Sequence, residues 1–362
     1  MTTHGAGVPP GPPGGAPANT LDSAASATSR PPRIRRPLLA LGIVIILLGL
    51  AIVASIAFGA RVVGVGEILD GLAGRGGELG ALAVAERIPR TATAVTAGAA
   101  LGLSGALMQA ITRNPIADPG ILGVNTGASM AIVAAIAFVH ISSLWEYLWV
   151  AMAGASLTAV VVYAIGSLGP GGTTPVKLAL AGVATSAALS SLISAIMLPR
   201  AEGLTDFRFW QVGSLGRGTW ASLVTVAPFL LVAALLAAAV ARPLNSLALG
   251  EEMAVGLGVK VGRTRLLAAA AGVIACATTT ALAGPIGFVG LMVPHAVRML
   301  VGPDNRLLLP LSALGGAALL TFADVLGRVI ARPGEVSVGV VTAFVGAPVL
   351  IAIARGAKVR EL

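Results

Sequence analysis

Chemistry in so apolar a chain has to rest on its few ionisable or nucleophilic side chains. The histidines, His4, His140 and His295, lie far apart and lack metal-ligand spacing. His295 follows Pro294 inside an apolar run and reads as a packing residue. The single cysteine, Cys276, also sits in an apolar run; it can form no disulfide within the chain and reads as a small packing residue. No Ser/His/Asp or paired-carboxylate arrangement stands out. A Gly-x-x-x-x-Gly-Lys-Ser/Thr phosphate loop is absent, and Gly256-x-Gly258-x-x-x-Gly262 has neither dinucleotide-loop spacing nor a preceding strand. These residues call for no catalytic centre, no metal and no cofactor.

Ion-coupled carriers need ionisable groups deep in the membrane. Within the apolar runs the sequence offers one acid, Asp324, four residues before Arg328, so the two share a helix face and can pair. A carrier without a coupling site draws its energy from elsewhere, such as a partner ATPase. An ion-coupled secondary carrier for a metal chelate is the alternative, discriminated by uptake without ATP. A membrane-embedded enzyme would need a nucleophile or metal constellation. A purely structural subunit would be excluded by ATP-dependent accumulation.

The most informative polar segment is 244–259, Leu-Asn-Ser-Leu-Ala-Leu-Gly-Glu-Glu-Met-Ala-Val-Gly-Leu-Gly-Val. Gly250 breaks one turn, Glu251 and Glu252 open a short helix at its positive end, and Gly256 and Gly258 end it. Such a helix suits a groove on a soluble partner, or serves as an ordinary amphipathic connector.

The elements that hold these groups follow from composition. Of 362 residues, 56% are hydrophobic and only 11% charged, against about one-quarter charged in soluble domains. That leaves too little polar surface for a water-facing globule, so lipid must cover part of the chain. Apolar spans are expected near 37–58, 91–111, 120–140, 147–168, 178–198, 220–241, 264–283, 286–301, 307–330 and 338–354, ten in all. The first is ~33 Å long as a helix. Residues 1–36 form a Pro/Gly-rich tail expected to be disordered, 37–357 the membrane domain, and 358–362 a short C-terminal tail.

The charge balance is +9, with 24 basic and 15 acidic residues, but aromatics are 4% and the bases are scattered, which argues against nucleic acid. Arginines 30, 33, 35 and 36 precede the first span, and Arg355, Lys358 and Arg360 follow the last, placing both termini in the cytoplasm. Arg113, Lys177, Arg242, Lys260, Arg263, Arg265 and Arg306 fall in loops on that side. Arg61, Arg75, Arg87, Arg90, Arg200, Arg208, Arg217, Arg328 and Arg332 fall on the other, an unusual number that asks for a functional reason. Gly98-x-x-x-Gly102 and Gly123-x-x-x-Gly127 are small-residue faces for close helix packing. Gly102-x-x-Gly105 before Asn114-Pro115 is faintly echoed by Gly287-x-x-Gly290 before Val293-Pro294.

Several motifs stand in a fixed order. They are Arg87-Ile-Pro-Arg90, the Gly98 to Gln109 run Gly-Ala-Ala-Leu-Gly-Leu-Ser-Gly-Ala-Leu-Met-Gln, Asn114-Pro-Ile-Ala-Asp-Pro-Gly-Ile-Leu-Gly123, Trp210-Gln-Val-Gly-Ser-Leu215, Leu-Ala-Leu-Gly-Glu at 247–251, Gly287-Phe-Val-Gly-Leu-Met-Val-Pro-His295, Leu309-Pro310, Ala323-Asp324 and Gly339-Val-Val-Thr-Ala-Phe-Val-Gly-Ala-Pro348. On these the chain resembles the FecCD family of ABC importer permeases, over about 37–357. The resemblance implies an all-α, ten-helix, type II importer permease in the cytoplasmic membrane, serving siderophore, haem or cobalamin uptake, with ferric siderophore the broadest use. It implies an ABC ATPase dimer, an external substrate-binding protein (periplasmic or a lipoprotein), and a second permease subunit, identical or paralogous. It assigns ATPase coupling to Leu249, Gly250, Glu251, Gly256 and Gly258, and binding-protein docking to exposed Arg87, Arg90 and Arg328. It points to the helices at 178–198 and 338–354 as walls of a weakly polar path carrying Thr185, Ser186, Ser190, Ser194 and Thr342. Arg332-Pro333-Gly334 departs from the family's commonly apolar stretch and leaves the local outer-loop shape open.

Overall fold

A computed structural model describes residues 35–75, 79–115, 117–120, 122–168, 174–199 and 210–358. The tail expected at 1–36 lies outside these up to residue 34, as do Arg200, Arg208 and residues 359–362. The described residues form helices without strands: α1 Arg35–Ala57, α2 Val65–Leu72, α3 Leu79–Thr112, α4 Val124–Phe138, α5 Leu144–Ser167, α6 Pro175–Met197, α7 Trp220–Ala248, α8 Glu251–Gly256, α9 Val261–Ala283, α10 Val289–Val301, α11 Asn305–Ile330 and α12 Val338–Lys358. Each expected span coincides with an apolar helix. Seven are long and apolar enough to cross a membrane, and three, α4, α10 and the apolar part of α12, are shorter.

The core is the group α3, α9 and α11, each 67% buried along its most apolar stretch, while α1, α5, α6 and α7 are only 17–28% buried and offer apolar flanks. The glycines explain the depth of the core. A Cβ on Gly98 would lie 2.3 Å from the Gly316 carbonyl, and one on Gly102 2.1 Å from that of Ser312, so α3 and α11 meet backbone to backbone. Gly127 of α4 and Gly154 of α5 meet in the same way. Gly105 of α3 lies against Gly290 of α10, so the two echoed glycine segments pack on each other.

Several boundaries differ from expectation for physical reasons. The span expected to begin at 91 begins at Leu79, because Arg87 and Arg90 find partners and need not end the helix; α3 is 34 residues, about 51 Å. The unforeseen α2 packs Gly71 onto Ala81 and Val84 of α3. The loop expected from 244 begins later, since α7 runs through Pro243 to Ala248. The span expected from 286 starts at Val289, because Gly284 and Phe288 take positive φ (77° and 68°) and interrupt the path from α9 into α10. The Trp210 to Leu215 motif lies across that junction. The Ser214 amide donates to the Ala283 carbonyl (2.8 Å), and the Gly339 amide opening α12 donates to the Gly213 carbonyl (3.2 Å).

Candidate functional site

At one end of the bundle, arginines gather around the end of α1. Its terminal carbonyls lack partners within the helix and carry the negative end of the dipole. Arg328 donates to the Ser55 carbonyl (3.1 Å) and hydroxyl (2.7 Å). Arg87 donates to the carbonyls of Ile56 (2.9 Å), Ala57 (3.1 Å) and Arg61 (2.6 Å). Arg332 donates to the Gly59 carbonyl (2.9 Å), so the stretch that departs from the family pattern joins the same cluster. Asp324 sits between two guanidiniums: Arg328 at 3.0 Å, as its four-residue spacing predicts, and Arg90 at 2.8 Å from α3. The outer nitrogen of Arg90 pairs with Glu335 at 2.8 Å.

This geometry corrects the expectation that Arg87, Arg90 and Arg328 are exposed. Arg328 is 1% and Arg87 6% exposed; Arg87 is consumed by carbonyls, and Arg328 by Ser55 and Asp324. Arg90 is the most open, and its reachable face already carries the half-exposed Glu335. Spacing could reveal the Asp324–Arg328 pair, whereas a partner 234 residues away in sequence leaves no local signal.

At the other end, α7 is followed by Gly250, where a Cβ would meet nothing within 4 Å but whose φ of +119° few residues other than glycine adopt. The short α8 follows, opened by Glu251 and Glu252, and Gly258 (φ +79°) ends the turn. Ala254 alone in this turn is buried; Leu249, Met253, Val255 and Leu257 stand 60–65% exposed. Glu251 pairs with Arg265 of α9. The Leu247 carbonyl accepts from Arg113 at the end of α3. Asn245 donates to Asp304 (2.6 Å), and its carbonyl accepts from the Asn305 backbone amide (2.8 Å) and side chain (2.9 Å). A cleft of about 370 Å³ runs beside the turn, lined by residues including Pro243, Lys260 and Arg263.

The expected path residues divide. Ser190 and Ser194 are exposed on α6, and Thr185 and Ser186 are half-buried. Thr342 is buried and bonds its own turn at the Gly339 carbonyl (3.1 Å), so it lines no open path in the single chain. Cys276 is fully buried with its sulfur 2.9 Å from the side-chain amide oxygen of Asn125, consistent with packing. Sequence reasoning missed Asp118, which lies outside the expected spans, in the connection from α3 to α4. That connection folds into the bundle, where Asp118 is 7% exposed, bonded to the Gly120 amide (2.7 Å) and beside Gly290. Among the described residues no cluster of His, Cys, Asp and Glu could hold a metal ion.

The FecCD transport family matches residues 46–356. The ferric enterobactin transport system permease of Escherichia coli (strain K12) is 46% identical over 312 residues, covering 86% of this chain and 93% of that protein. The Fe(3+)-citrate import system permease of Bacillus subtilis (strain 168) is 45% identical, covering 74% of this chain and 80% of that one. A solved inward-facing conformation of a metal-chelate type ABC transporter superposes with a TM-score of 0.73 at 30% identity, covering 88% of this chain and 99% of that one.

Proposed function

The chain belongs to the FecCD transport family and is a multi-pass permease of an ABC importer, and from that premise we propose that its cargo is a ferric siderophore. The observation that carries the substrate is the 46% identity, along nearly the full length, to a permease of a ferric enterobactin system. Further support comes from the physics. The wall of α6 offers hydroxyls but no charge among its exposed residues Ser190, Ser191 and Ser194, which suits a large chelate that must pass without sticking.

In this reading the Gly250 end is cytoplasmic, as the basic residues there favour. Leu249, Gly250, Glu251, Gly256 and Gly258 form the element that seats in a partner ATPase. The four exposed apolar side chains of the turn ask for such a cover; burying what remains of them would contribute roughly 4–8 kcal/mol, before the losses of association. The arginine end is external and receives the binding protein. Arg90 meets that protein's carboxylates by exchanging the exposed Glu335 for them, while Arg87 and Arg328 hold the surface that presents it. Such charges steer and orient docking more than they tighten it. The path runs along Thr185, Ser186, Ser190 and Ser194 of α6, with Thr342 contributing only after α12 shifts.

The test is uptake into vesicles holding the permease with the ATPase and binding protein that co-purify with it. Ferric enterobactin is expected to accumulate only with internal-facing ATP. Accumulation driven by a pH gradient without ATP would place the chain with secondary carriers. ATP-driven uptake of cobalamin or haem in preference to the iron chelate would overturn the substrate.

A further inference from the structure

The two ends of the permease are joined by one pair of helices. α3 carries Arg87 and Arg90 near its start, and its final turn runs into Arg113, about 35 Å further along the axis from Arg90. α11 runs antiparallel to it, with Asn305 at its first turn and Asp324 and Arg328 near its end. Between those ends the helices touch through backbone at Gly98–Gly316 and Gly102–Ser312. Such contacts leave no compressible side chain between them, so a displacement of one helix is passed to the other as to one body. At the charged end the pair is locked by Arg90 on Asp324 at 2.8 Å.

At the opposite end, each helix holds the base of the α8 turn by its own polar contact. Arg113, just beyond α3, donates to the Leu247 carbonyl. Asp304 and Asn305, opening α11, clasp Asn245 through three hydrogen bonds of 2.6–2.9 Å. Leu247 and Asn245 lie three and five residues before Gly250, on the last turns of α7. The turn beyond is otherwise lightly held, with Ala254 its one buried residue and the exposed Glu251–Arg265 pair its other tether. Arg113 itself has a φ of +51°, a conformation that a non-glycine residue adopts only when its surroundings fix it.

We propose that the α3–α11 pair is the strut that transmits docking at the arginine cluster to the ATPase-coupling turn, and that Arg113 and Asn245 are the positioning residues that fasten the turn to it. The inference rests on the reading of the two ends given under Proposed function. In this reading each acts by fixing where 249–258 sits. Asn245 suits the task because one amide both donates to Asp304 and accepts from Asn305, so rotation of α11 about its axis strains both contacts together. Arg113 suits it because its long side chain spans from the end of one helix to the last turn of another, where it joins the Gly250 amide on the Leu247 carbonyl.

The experiment uses the assembled complex in lipid nanodiscs with the binding protein that co-purifies, comparing wild type with Asn245→Ala, Arg113→Ala and Arg113→Lys. Three quantities are read: binding-protein affinity, the ratio of stimulated to unstimulated ATP hydrolysis, and backbone hydrogen exchange at 250–258. Asn245→Ala and Arg113→Ala are expected to leave affinity within about twofold, to lower the stimulation ratio by about fivefold or more, and to speed exchange at 250–258. Arg113→Lys, which keeps the donor, is expected to recover much of the ratio. A stimulation ratio unchanged in both alanine variants overturns the proposal. So does loss of stimulation in proportion to lost affinity, which would mark a general folding defect. If the wild-type complex shows no stimulation, the reading of the two ends fails, and the exchange measurement still decides the strut: unchanged exchange in both alanine variants overturns it.

Discussion

Asp324 decides the character of the arginine cluster. It is 2% exposed and faces two guanidiniums, one of them also buried. Removing one member of a buried ion pair leaves a charge without compensation and costs about 3–5 kcal/mol. Glu335 is the contrasting partner: its side chain is 39% exposed, and the Arg90 it meets keeps its bonds to Asp324. An exposed pair contributes about 0–1 kcal/mol. Asp324→Asn is therefore expected to lower the thermal midpoint of the purified complex markedly, and Glu335→Gln to leave it nearly unchanged. Equal shifts would show that the cluster is a solvated surface and not an internal lock. The pairing of Asp324 with Arg328 was legible in the sequence, since four residues is one helical turn. The burial of Arg87 and Arg328 was not. Guanidiniums counted along a chain look like surface charge, and only the fold shows that α1 ends against them with open carbonyls. Asp118 was missed because its place in a connection, outside the expected spans, says nothing of the helices that bury it.

At the scale of elements, close approach is governed by which glycines face a neighbour. Gly102 has the Ser312 carbonyl where its Cβ would be, whereas a Cβ on Gly49 of α1 would meet nothing within 4 Å. Gly102→Ala must push α3 from α11 or strain both, and the expected loss is that of an overpacked core, about 1–3 kcal/mol or more. Gly49→Ala removes chain flexibility in a helix at no steric cost and is expected to be neutral or to stabilise by about 0.4–1 kcal/mol. Thermal unfolding of the two variants in the same detergent checks the pair. A Gly102→Ala protein as stable as wild type would mean the helices are not in backbone contact. The small-xxx-small pattern announced close packing, and the structure supplies the partner. Helix existence was legible from apolar run length, and the Gly250 break with its short helix from glycine and glutamate placement. Helix ends were less so. Charge ended the expected span at 91 although α3 continues to Leu79, and the positive φ of Phe288 has no signature in a residue that is ordinarily found within helices.

For the whole molecule, the uneven covering of the helices carries the last consequence. α6 packs on α4 and α5 yet is only 17% buried along its most apolar stretch, and α12 turns Phe344 outward at 83% exposed. Lipid can cover Leu and Val, but α6 also exposes Ser190, Ser191 and Ser194. Ser191 and Ser194 satisfy themselves on carbonyls of the preceding turn (3.0 Å each), a common accommodation in membrane helices. A hydroxyl-bearing, loosely covered helix fits a face shared with a second permease subunit better than a face given wholly to lipid. The single native cysteine, Cys276, is fully buried, so a cysteine introduced on α6 would react without background. Ala188→Cys, at an exposed position of that helix, is expected to give a permease-sized adduct on oxidation or bis-maleimide treatment of native membranes. An adduct containing only this chain would identify a pair of identical subunits. With a cysteine-reactive photo-crosslinker on the same site, an adduct to a second permease chain would identify a paralogous pair. If neither forms while the same label placed on the loosely covered α1 behaves identically, α6 is not the face shared with a second permease subunit.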